Sequence, residues 1–312
     1  MRISILLPVF NGLKYLNESI SGVLNQKYSH FEFLILDDNS SDGSYDYLSK
    51  INDSRVRVFR NEKNMGLFFS LNKLIAIARG ELVVFWCQDD VMLPNALEII
   101  DEFHIKHPEV AFSYAARKYI NRFGQILEEH STTNDLTPTI ISPALHLKIA
   151  WFTGSISGNI SALTFKRLVF EKYGLFKDDF IYSADFEFQI RVGLSENIGR
   201  IKETLFFQRM HNEQLSAQVS KSIFQLKEDL YVFDVMFKNT LNVDLIKYSR
   251  ECMKWKRSNY YLSVLFNQIM HLHFNNAYKY FLILYKHPLI TLNPFYFIAY
   301  YFGVRKKILL FD

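Results

Sequence analysis

Cysteine is scarce in this sequence of 312 residues, which contains only Cys87 and Cys252. Two cysteines are too few for a disulfide scaffold, and their separation matches no zinc-ligand spacing. Long hydrophobic runs are lacking too. The amino-terminal apolar run is too short for the core of a signal peptide, and residues 294–304 are too short to span a bilayer, which needs about 20 apolar residues. We therefore expect a cytoplasmic protein without an export signal.

Strong net charge is also absent, since 36 Lys and Arg against 32 Asp and Glu leave a formal charge of +4. So weak a charge gives no reason to expect nucleic-acid binding. The basic surplus is local: residues 220–312 carry 13 Lys and Arg against six Asp and Glu, with 21 of the 50 aromatic residues. This composition suits peripheral contact with the inner face of the plasma membrane. It equally suits a helical subdomain or a homo-oligomer contact.

Apolar runs and helical periodicities alternate in the first third of the chain. The patterns predict strands over residues 3–7, 31–36, 56–59 and 82–86. They predict helices over residues 13–24, 67–78 and 95–104, with Pro94 at the start of the last one. Continuous apolar strands separated by helices indicate an α/β fold with a mostly parallel sheet and helices on both faces. From residue 224 onward the pattern is helical and rich in aromatics.

Acidic side chains follow two of the predicted strands. Asp37 and Asp38 come after the second, and Asp89 and Asp90 after the fourth, so both pairs lie where a parallel sheet has its ligand crevice. A divalent cation held by one or two carboxylates and by phosphate oxygens would neutralise a diphosphate leaving group. The pair 89–90 could hold such a cation or cap the following helix. Asp38 could accept a hydrogen bond from a nucleobase imide or stabilise a turn.

Four short motifs follow one another along the chain: Pro8-Val9-Phe10-Asn11, Asp37-Asp38-Asn39-Ser40-Ser41-Asp42-Gly43, Asn64-Met65-Gly66 and Gln88-Asp89-Asp90. Their order resembles that of family 2 glycosyltransferases with the GT-A fold, which is Rossmann-like. The resemblance implies a catalytic domain over residues 1–215 and a helical region over 216–312. It also implies inverting, metal-dependent transfer of a sugar from a nucleotide-sugar donor, with a UDP-sugar favoured, to a hydroxyl of a glycan or lipid-linked glycan.

The resemblance assigns donor binding to eight positions: Pro8, Phe10, Asn11, Asp38, Asn64, Gly66, Gln88 and Asp89. Asp38 would read a uracil-like base, whereas a turn with positive φ would by itself explain Gly66. Asp89 corresponds to the last acid of the family's Asp-x-Asp motif and would bind Mn²⁺ or Mg²⁺, with Asp90 and His211 as further candidate ligands. Cys87 stands where the first acid is common.

Residues 181–188 resemble the family's Glu-Asp segment, with Ala184 where Glu is common and Asp185 in the place of the catalytic base. An inverting transfer needs one carboxylate to take the proton of the acceptor hydroxyl as that hydroxyl attacks. Asp185 is our candidate and Glu187 the reserve, although an acid at a helix start could also be merely solvated. On a helix, the side chain of residue 187 would point away from that of residue 185, whereas in a strand both would point to the same face.

Two further segments carry the resemblance less specifically. Residues 208–211 resemble a Tyr-Arg-x-His segment, in which Arg209 could pair with phosphate or with an acid and His211 could ligate the metal. Residues 151–160 resemble a loop bordering the acceptor site, where Trp151 could stack on a sugar or lie buried.

Two other functions fit parts of the sequence. Cys87 and Ala184 at commonly acidic positions would suit a catalytically inactive, GT-A-like glycan-binding or scaffolding protein. A nucleotidyltransferase is disfavoured, because no glycine-rich, lysine-containing phosphate loop follows the first strand.

Overall fold

The computed structural model describes residues 2–127, 138–161, 163–211, 214, 223–240, 243–253, 258–270, 274–287 and 290. The chain divides into two compact units, Met1–Pro143 with Ser157–Asn212, and Ala144–Ile156 with Glu213–Asp312. Most of the polar stretch 128–139 and the aromatic and basic residues 291–312 lie outside the described residues. Membrane contact and the division of function at residue 215 therefore stay predictions.

The first unit alternates strands and helices. Its strands are β1 (Ile3–Val9), β2 (Phe31–Asp37), β3 (Val56–Arg60), β4 (Leu82–Phe85), β5 (Val91–Met92), β6 (Val110–Ile120), β7 (Ile126–Leu127), β8 (Ile140–Ile141), β9 (Thr164–Lys166) and β10 (Asn197–Arg209). Its helices are α1 (Leu13–Leu24), α2 (Ser44–Leu48), α3 (Leu67–Ile77), α4 (Ala96–Lys106), α6 (Arg167–Tyr173) and α7 (Ala184–Gly193). Helix α5 (Pro143–Thr153) belongs to the second unit from Ala144 onward.

The predicted elements of the first third are confirmed to within about two residues at each end. The expected place of Pro94 is wrong. Helix α4 begins at Ala96, because Asn95 takes the N-cap position with non-helical backbone angles.

The strands form one mixed sheet in the order β3-β2-β1-β4-β9-β6-β10-β5, with β7 beside β6 and β8 beside β10. The long pairings, β1 with β2, β1 with β4, β2 with β3 and β6 with β10, are parallel. The antiparallel pairings are short, with two or three residue pairs each. The predicted mostly parallel sheet is confirmed. Because β2 and β4 flank β1 on opposite sides, the strand order reverses there, which is where α/β sheets bind ligands.

Helices cover both faces of this sheet. On one face Ile5 and Leu7 of β1 share a buried cluster with Leu16 and Ile20 of α1. On the other face aromatic rings fill the core: the ring centroid of Phe85 in β4 lies 5.4 Å from that of Phe176, and the latter ring lies 5.5 Å from Phe68 of α3. Alternation along the strands therefore supplies two apolar layers.

The second unit is helical, and its helices from residue 223 onward confirm the predicted helical C-terminal region. It contains α5 together with α8 (Ile223–Lys238), α9 (Val243–Cys252), α10 (Ser258–Met270) and α11 (Phe274–Lys286). Leu226, Tyr261 and Tyr280 join three of these helices in one buried cluster. Trp151 is fully buried and stacks on Phe233 with ring centroids 5.5 Å apart, so its side chain lies in the interior of this unit. Within the described ranges, no helix is long and apolar enough to cross a bilayer.

Candidate active site

The carboxyl ends of β1 and β4 are joined by a side-chain amide. Gln88 accepts a hydrogen bond at Oε1 from the backbone N–H of Phe10, at 2.9 Å, and its Nε2 donates to the backbone carbonyl of Phe10, at 3.1 Å. Phe10 itself is 44% exposed, while Pro8 is half-buried within β1. Gln88 and Phe10, both predicted to bind the donor, therefore bind each other. This contact, which we call the Gln88 clamp, fixes the backbone at the carboxyl ends of β1 and β4.

The turn after β2 binds the residues that follow β1. Asn11, with a φ of 48°, donates from its backbone N–H to Ser40 Oγ at 2.9 Å, and its Oδ1 accepts from the backbone N–H of Ser41 at 2.9 Å. Asp42 accepts from the backbone N–H of Leu13 at 2.9 Å. The carboxylate of Asp37 accepts from the backbone N–H of Ser40 at 3.1 Å. The carboxylates of residues 37 and 42 thus stabilise the turn and its contact with the start of α1.

Asp38 is buried, and its carboxylate accepts three hydrogen bonds from the chain. Oδ1 accepts from Asn61 Nδ2 at 2.7 Å and from the backbone N–H of Met65 at 2.8 Å, and Oδ2 accepts from the backbone N–H of Gly66 at 2.8 Å. Gly66 has a φ of 92°, which confirms the turn that its position predicts. Asn64 is exposed, and its Oδ1 lies 3.1 Å from the backbone nitrogen of residue 66.

Four potential metal ligands converge just after β4. The ligand atoms of Cys87, Asp89 and Asp90 lie within 4.8 Å of one another, and His211 Nε2 lies 3.0 Å from Asp89 Oδ2. Burial, followed by the charges of residues 90, 89 and 185, raises the pKa of the Cys87 thiol. Carboxylate oxygens and an imidazole suit Mn²⁺, and oxygen ligands suit Mg²⁺. The donor set therefore fits a divalent cation. Cys87, Asp89 and His211 are partly exposed, whereas Asp90 is buried.

Asp90 holds three parts of the site together. Its Oδ1 accepts from the backbone N–H of Arg209 at 3.0 Å, and its Oδ2 accepts from the hydroxyl of Ser161. Burial, and after it the charge of Asp89, raises the pKa of Asp90 to about 7. Both carboxylate oxygens of Asp90 already bind the chain. Asp90 therefore positions the segments that contain Ser161 and Arg209.

Arg209 is almost fully buried and pairs with an acid, one of the two alternatives that the sequence leaves open. Its guanidinium donates to Glu18, to the backbone carbonyl of Asp89 at 2.9 Å and to that of Asn121 at 3.3 Å. It also lies over the ring of Tyr15, 4.7 Å from the centroid. These contacts fix the backbone on both sides of the Asp89–His211 pair.

The two candidate bases lie on α7 in different surroundings. Asp185, in the first turn, is partly exposed and contributes to the electrostatic field at Cys87. Glu187 is buried and forms a two-point ion pair with Arg191, with oxygen–nitrogen distances of 2.6 and 3.0 Å. Since α7 is a helix, the side chains two residues apart diverge as expected. The partly exposed acid is therefore the better placed of the two for proton transfer.

The sequence analysis does not identify Asn61, Ser161 and Glu18. Their side chains form hydrogen bonds with residues 38, 90 and 209, respectively. A signal existed for Asn61, which directly follows β3 and thus lies at the same edge of the parallel sheet as residues 38 and 89. Ser161 and Glu18 carry no comparable sequence signal, because their contacts depend on how distant segments pack.

Comparison with known families gives one match that covers more than half of the chain. The family described as Glycosyl transferase family 2 matches residues 4–168. Among curated proteins, a UDP-Glc:alpha-D-GlcNAc-diphosphoundecaprenol beta-1,3-glucosyltransferase, WfgD of Escherichia coli, is 32% identical over 119 residues, which are 38% of this chain and 47% of that protein. The chain spans between about half and two thirds of the length of the first curated relatives it matches.

Solved structures share the fold at low sequence identity. Staphylococcus aureus TarS 1-349 in complex with UDP-GlcNAc superposes with a TM-score of 0.62 at 17% identity, over 84% of this chain and 73% of that one. The mannosyltransferase PcManGT from Pyrobaculum calidifontis in complex with GDP-Man and Mn²⁺ superposes with a TM-score of 0.55 at 14% identity, over 97% and 79%. These likenesses confirm the predicted GT-A-type α/β fold.

Proposed function

Because this chain belongs to glycosyl transferase family 2 and is a glycosyltransferase, we propose that it moves a sugar from a UDP-sugar to a hydroxyl of a glycan or lipid-linked glycan, with inversion and with a divalent cation. Among its neighbours, TarS binds UDP-GlcNAc and PcManGT binds GDP-Man with Mn²⁺. The relative WfgD acts on a GlcNAc-diphosphoundecaprenol acceptor. These names support a nucleotide-sugar donor and a lipid-linked acceptor.

One observation carries the proposal: Asp89, in the segment after β4, lies 3.0 Å from His211, which follows the end of β10. Strand β4 lies beside β1, where the strand order reverses. In parallel sheets the ligand crevice opens at this place. A cation held there by residues 89 and 211 would neutralise the charge on a diphosphate leaving group. The clamp of Gln88 on Phe10 brings the end of β1 to the same place, where backbone groups would bind the nucleotide.

Asp185 would act as the general base. The acceptor hydroxyl attacks the anomeric carbon and forms the new glycosidic bond, while the bond from that carbon to the diphosphate oxygen breaks and the nucleoside diphosphate leaves. The hydroxyl proton passes to the carboxylate of residue 185. Its position in the first turn of α7 places this negative charge near the positive end of the helix dipole. Attack opposite the leaving group inverts the anomeric configuration.

Calorimetric titration with UDP, GDP and dTDP, each with Mn²⁺ and then with excess EDTA, tests donor binding. We expect UDP to bind in the presence of the metal and its affinity to fall when EDTA removes the metal. Chromatography of a reaction with donor and acceptor should then detect free nucleoside diphosphate. Absence of binding by all three nucleotides would contradict the proposal, and release of pyrophosphate would indicate a nucleotidyltransferase instead.

A further inference from the structure

We propose that Asn61 and Lys73 make the site selective for uracil over guanine, because Asn61, which Lys73 holds in place, fills an acceptor position on Asp38 that guanine would need. The inference rests on the proposed function, in which Asp38 reads the base of the donor. Neither Asn61 nor Lys73 would touch the base. Both act through the carboxylate of Asp38, and so they are positioning residues that set specificity.

The contacts form a short chain from the surface of α3 to the crevice. Lys73 Nζ donates to Asn61 Oδ1 at 2.7 Å, and Asn61 Nδ2 donates to Asp38 Oδ1 at 2.7 Å and to Ser70 Oγ at 3.2 Å. Asn61 is 4% exposed. Because an ammonium only donates and a carboxylate only accepts, both neighbours require the same orientation of the amide. The amide group therefore has one way to sit between them.

A carboxylate offers about four acceptor positions, two on each oxygen. On Asp38, Asn61 and the backbone N–H of Met65 fill both positions of Oδ1, and the backbone N–H of Gly66 fills one of Oδ2. Among the residues that the structure describes, none donates to the fourth position. A buried carboxylate with one unfilled acceptor position can take one N–H from a ligand.

The common nucleobases differ in what they present to such an acceptor. Uracil has one imide N–H between two carbonyls, which matches a single acceptor position. Guanine has two adjacent N–H donors, and these pair best with both oxygens of a carboxylate. With Oδ1 filled, one guanine donor would stay buried without a partner, which is costly. At the position of the uracil imide N–H, cytosine presents an acceptor nitrogen, which the carboxylate would repel.

Removal of Asn61 should free one position on Oδ1 and let guanine bind with two hydrogen bonds. The experiment is calorimetric titration of the full chain with UDP, GDP and CDP in Mn²⁺, for the wild type, Asn61→Ala and Lys73→Met. For Asn61→Ala we expect the ratio of UDP to GDP affinity to fall by about tenfold or more, as one hydrogen bond to a charged group allows. Lys73→Met, at an exposed position, should shift the ratio the same way but less. CDP should stay weak in all three proteins.

Asn72→Ala is the matched control, since Asn72 lies beside Lys73 on α3 but forms hydrogen bonds with the backbone of Phe176. It should leave the ratios of UDP to GDP affinity and of UDP to CDP affinity unchanged. Thermal melting of every variant checks the fold. A UDP to GDP ratio that neither Asn61→Ala nor Lys73→Met changes would overturn the inference, and so would equal weakening of all three nucleotides. Those results would leave the proposed function standing if UDP still binds far better than CDP. Equal UDP and CDP affinities in the wild type would instead count against Asp38 as the base reader.

Discussion

The side chain of Gln88 makes both hydrogen bonds that the peptide groups of Phe10 offer, at 2.9 and 3.1 Å. The contact joins the residues that follow two neighbouring parallel strands, β1 and β4, and so extends their connection past the backbone pairing of the strands. Gly12 lies against the same amide: a Cβ atom there would be 2.4 Å from Gln88 Oε1. Residue 12 must therefore be glycine for the Gln88 clamp to close.

Gly12→Ala and Gln88→Ala should show strong coupling in a double-mutant cycle. Each single change breaks the clamp and should lower the free energy of unfolding by about 1–2 kcal/mol and weaken UDP binding. In the Gln88→Ala background the extra methyl group meets no amide, so Gly12→Ala should add little. Urea denaturation and calorimetry measure both quantities. Additive losses in the double variant would contradict the structural relationship.

Asp89→Asn should remove most of the affinity for Mn²⁺, since it takes away the charged oxygen ligand that faces His211. We expect His211→Ala to lower the affinity for Mn²⁺ by about 10-fold or more, which is a smaller loss than that of Asp89→Asn. Titration of free Mn²⁺ by electron paramagnetic resonance, without nucleotide, measures the affinity directly. Asp46→Asn, an exposed acid on α2, is the control. Equal Mn²⁺ affinity in Asp89→Asn and the wild type would place the metal elsewhere.

The sequence predicts the parallel part of the sheet well because its strands are continuous apolar runs and its helices have clear periodicity. It does not predict β9, which separates β4 from β6, because three residues carry no usable pattern. Nor does it predict that Trp151 is buried against Phe233, since that contact joins residues 82 positions apart in sequence.

The candidate site is predictable as a set of residues more than as a set of contacts. The positions of residues 38, 89 and 90 at strand ends predict that they belong to the site, and the order of the motifs predicts the same for residue 88. Which groups these side chains bind depends on packing: Asp38 binds the 65–66 turn, and Gln88 binds Phe10. Those partners are donors or acceptors on the backbone, which the identity of a residue does not reveal.

Asp185→Asn and Glu187→Gln should separate catalysis from stability. Loss of the base should lower transfer by about 100- to 10,000-fold, while donor affinity and melting temperature stay near those of the wild type. Glu187→Gln breaks a largely buried ion pair with Arg191, so it should lower the free energy of unfolding by about 1–3 kcal/mol and leave turnover of the folded enzyme largely intact. Initial rates and melting curves test both. Near wild-type turnover in Asp185→Asn would refute the assignment.

His104 should make the first unit less stable as the pH falls from about 6.5 to about 3. Its Nε2 lies 2.9 Å from Ser113 Oγ in the core, and burial lowers the pKa of the imidazole to about 3, from about 6.5 in the unfolded chain. The positive charges of Lys166 and Arg2 lower this pKa further, and Asp101 raises it. Between these pH values only the unfolded chain binds the proton, so acid favours unfolding.

At pH 5 this linkage amounts to about 2 kcal/mol relative to pH 7.5. His104→Gln keeps a polar partner for Ser113 but cannot titrate. The loss of stability between pH 7.5 and 5 should therefore be about 2 kcal/mol smaller in this variant than in the wild type, measured by urea denaturation at both pH values. All other titrating groups are common to both proteins and cancel in the comparison. His30→Gln, at an exposed position, should follow the wild type. If His104→Gln loses as much stability on acidification as the wild type does, the imidazole is not held neutral in the core.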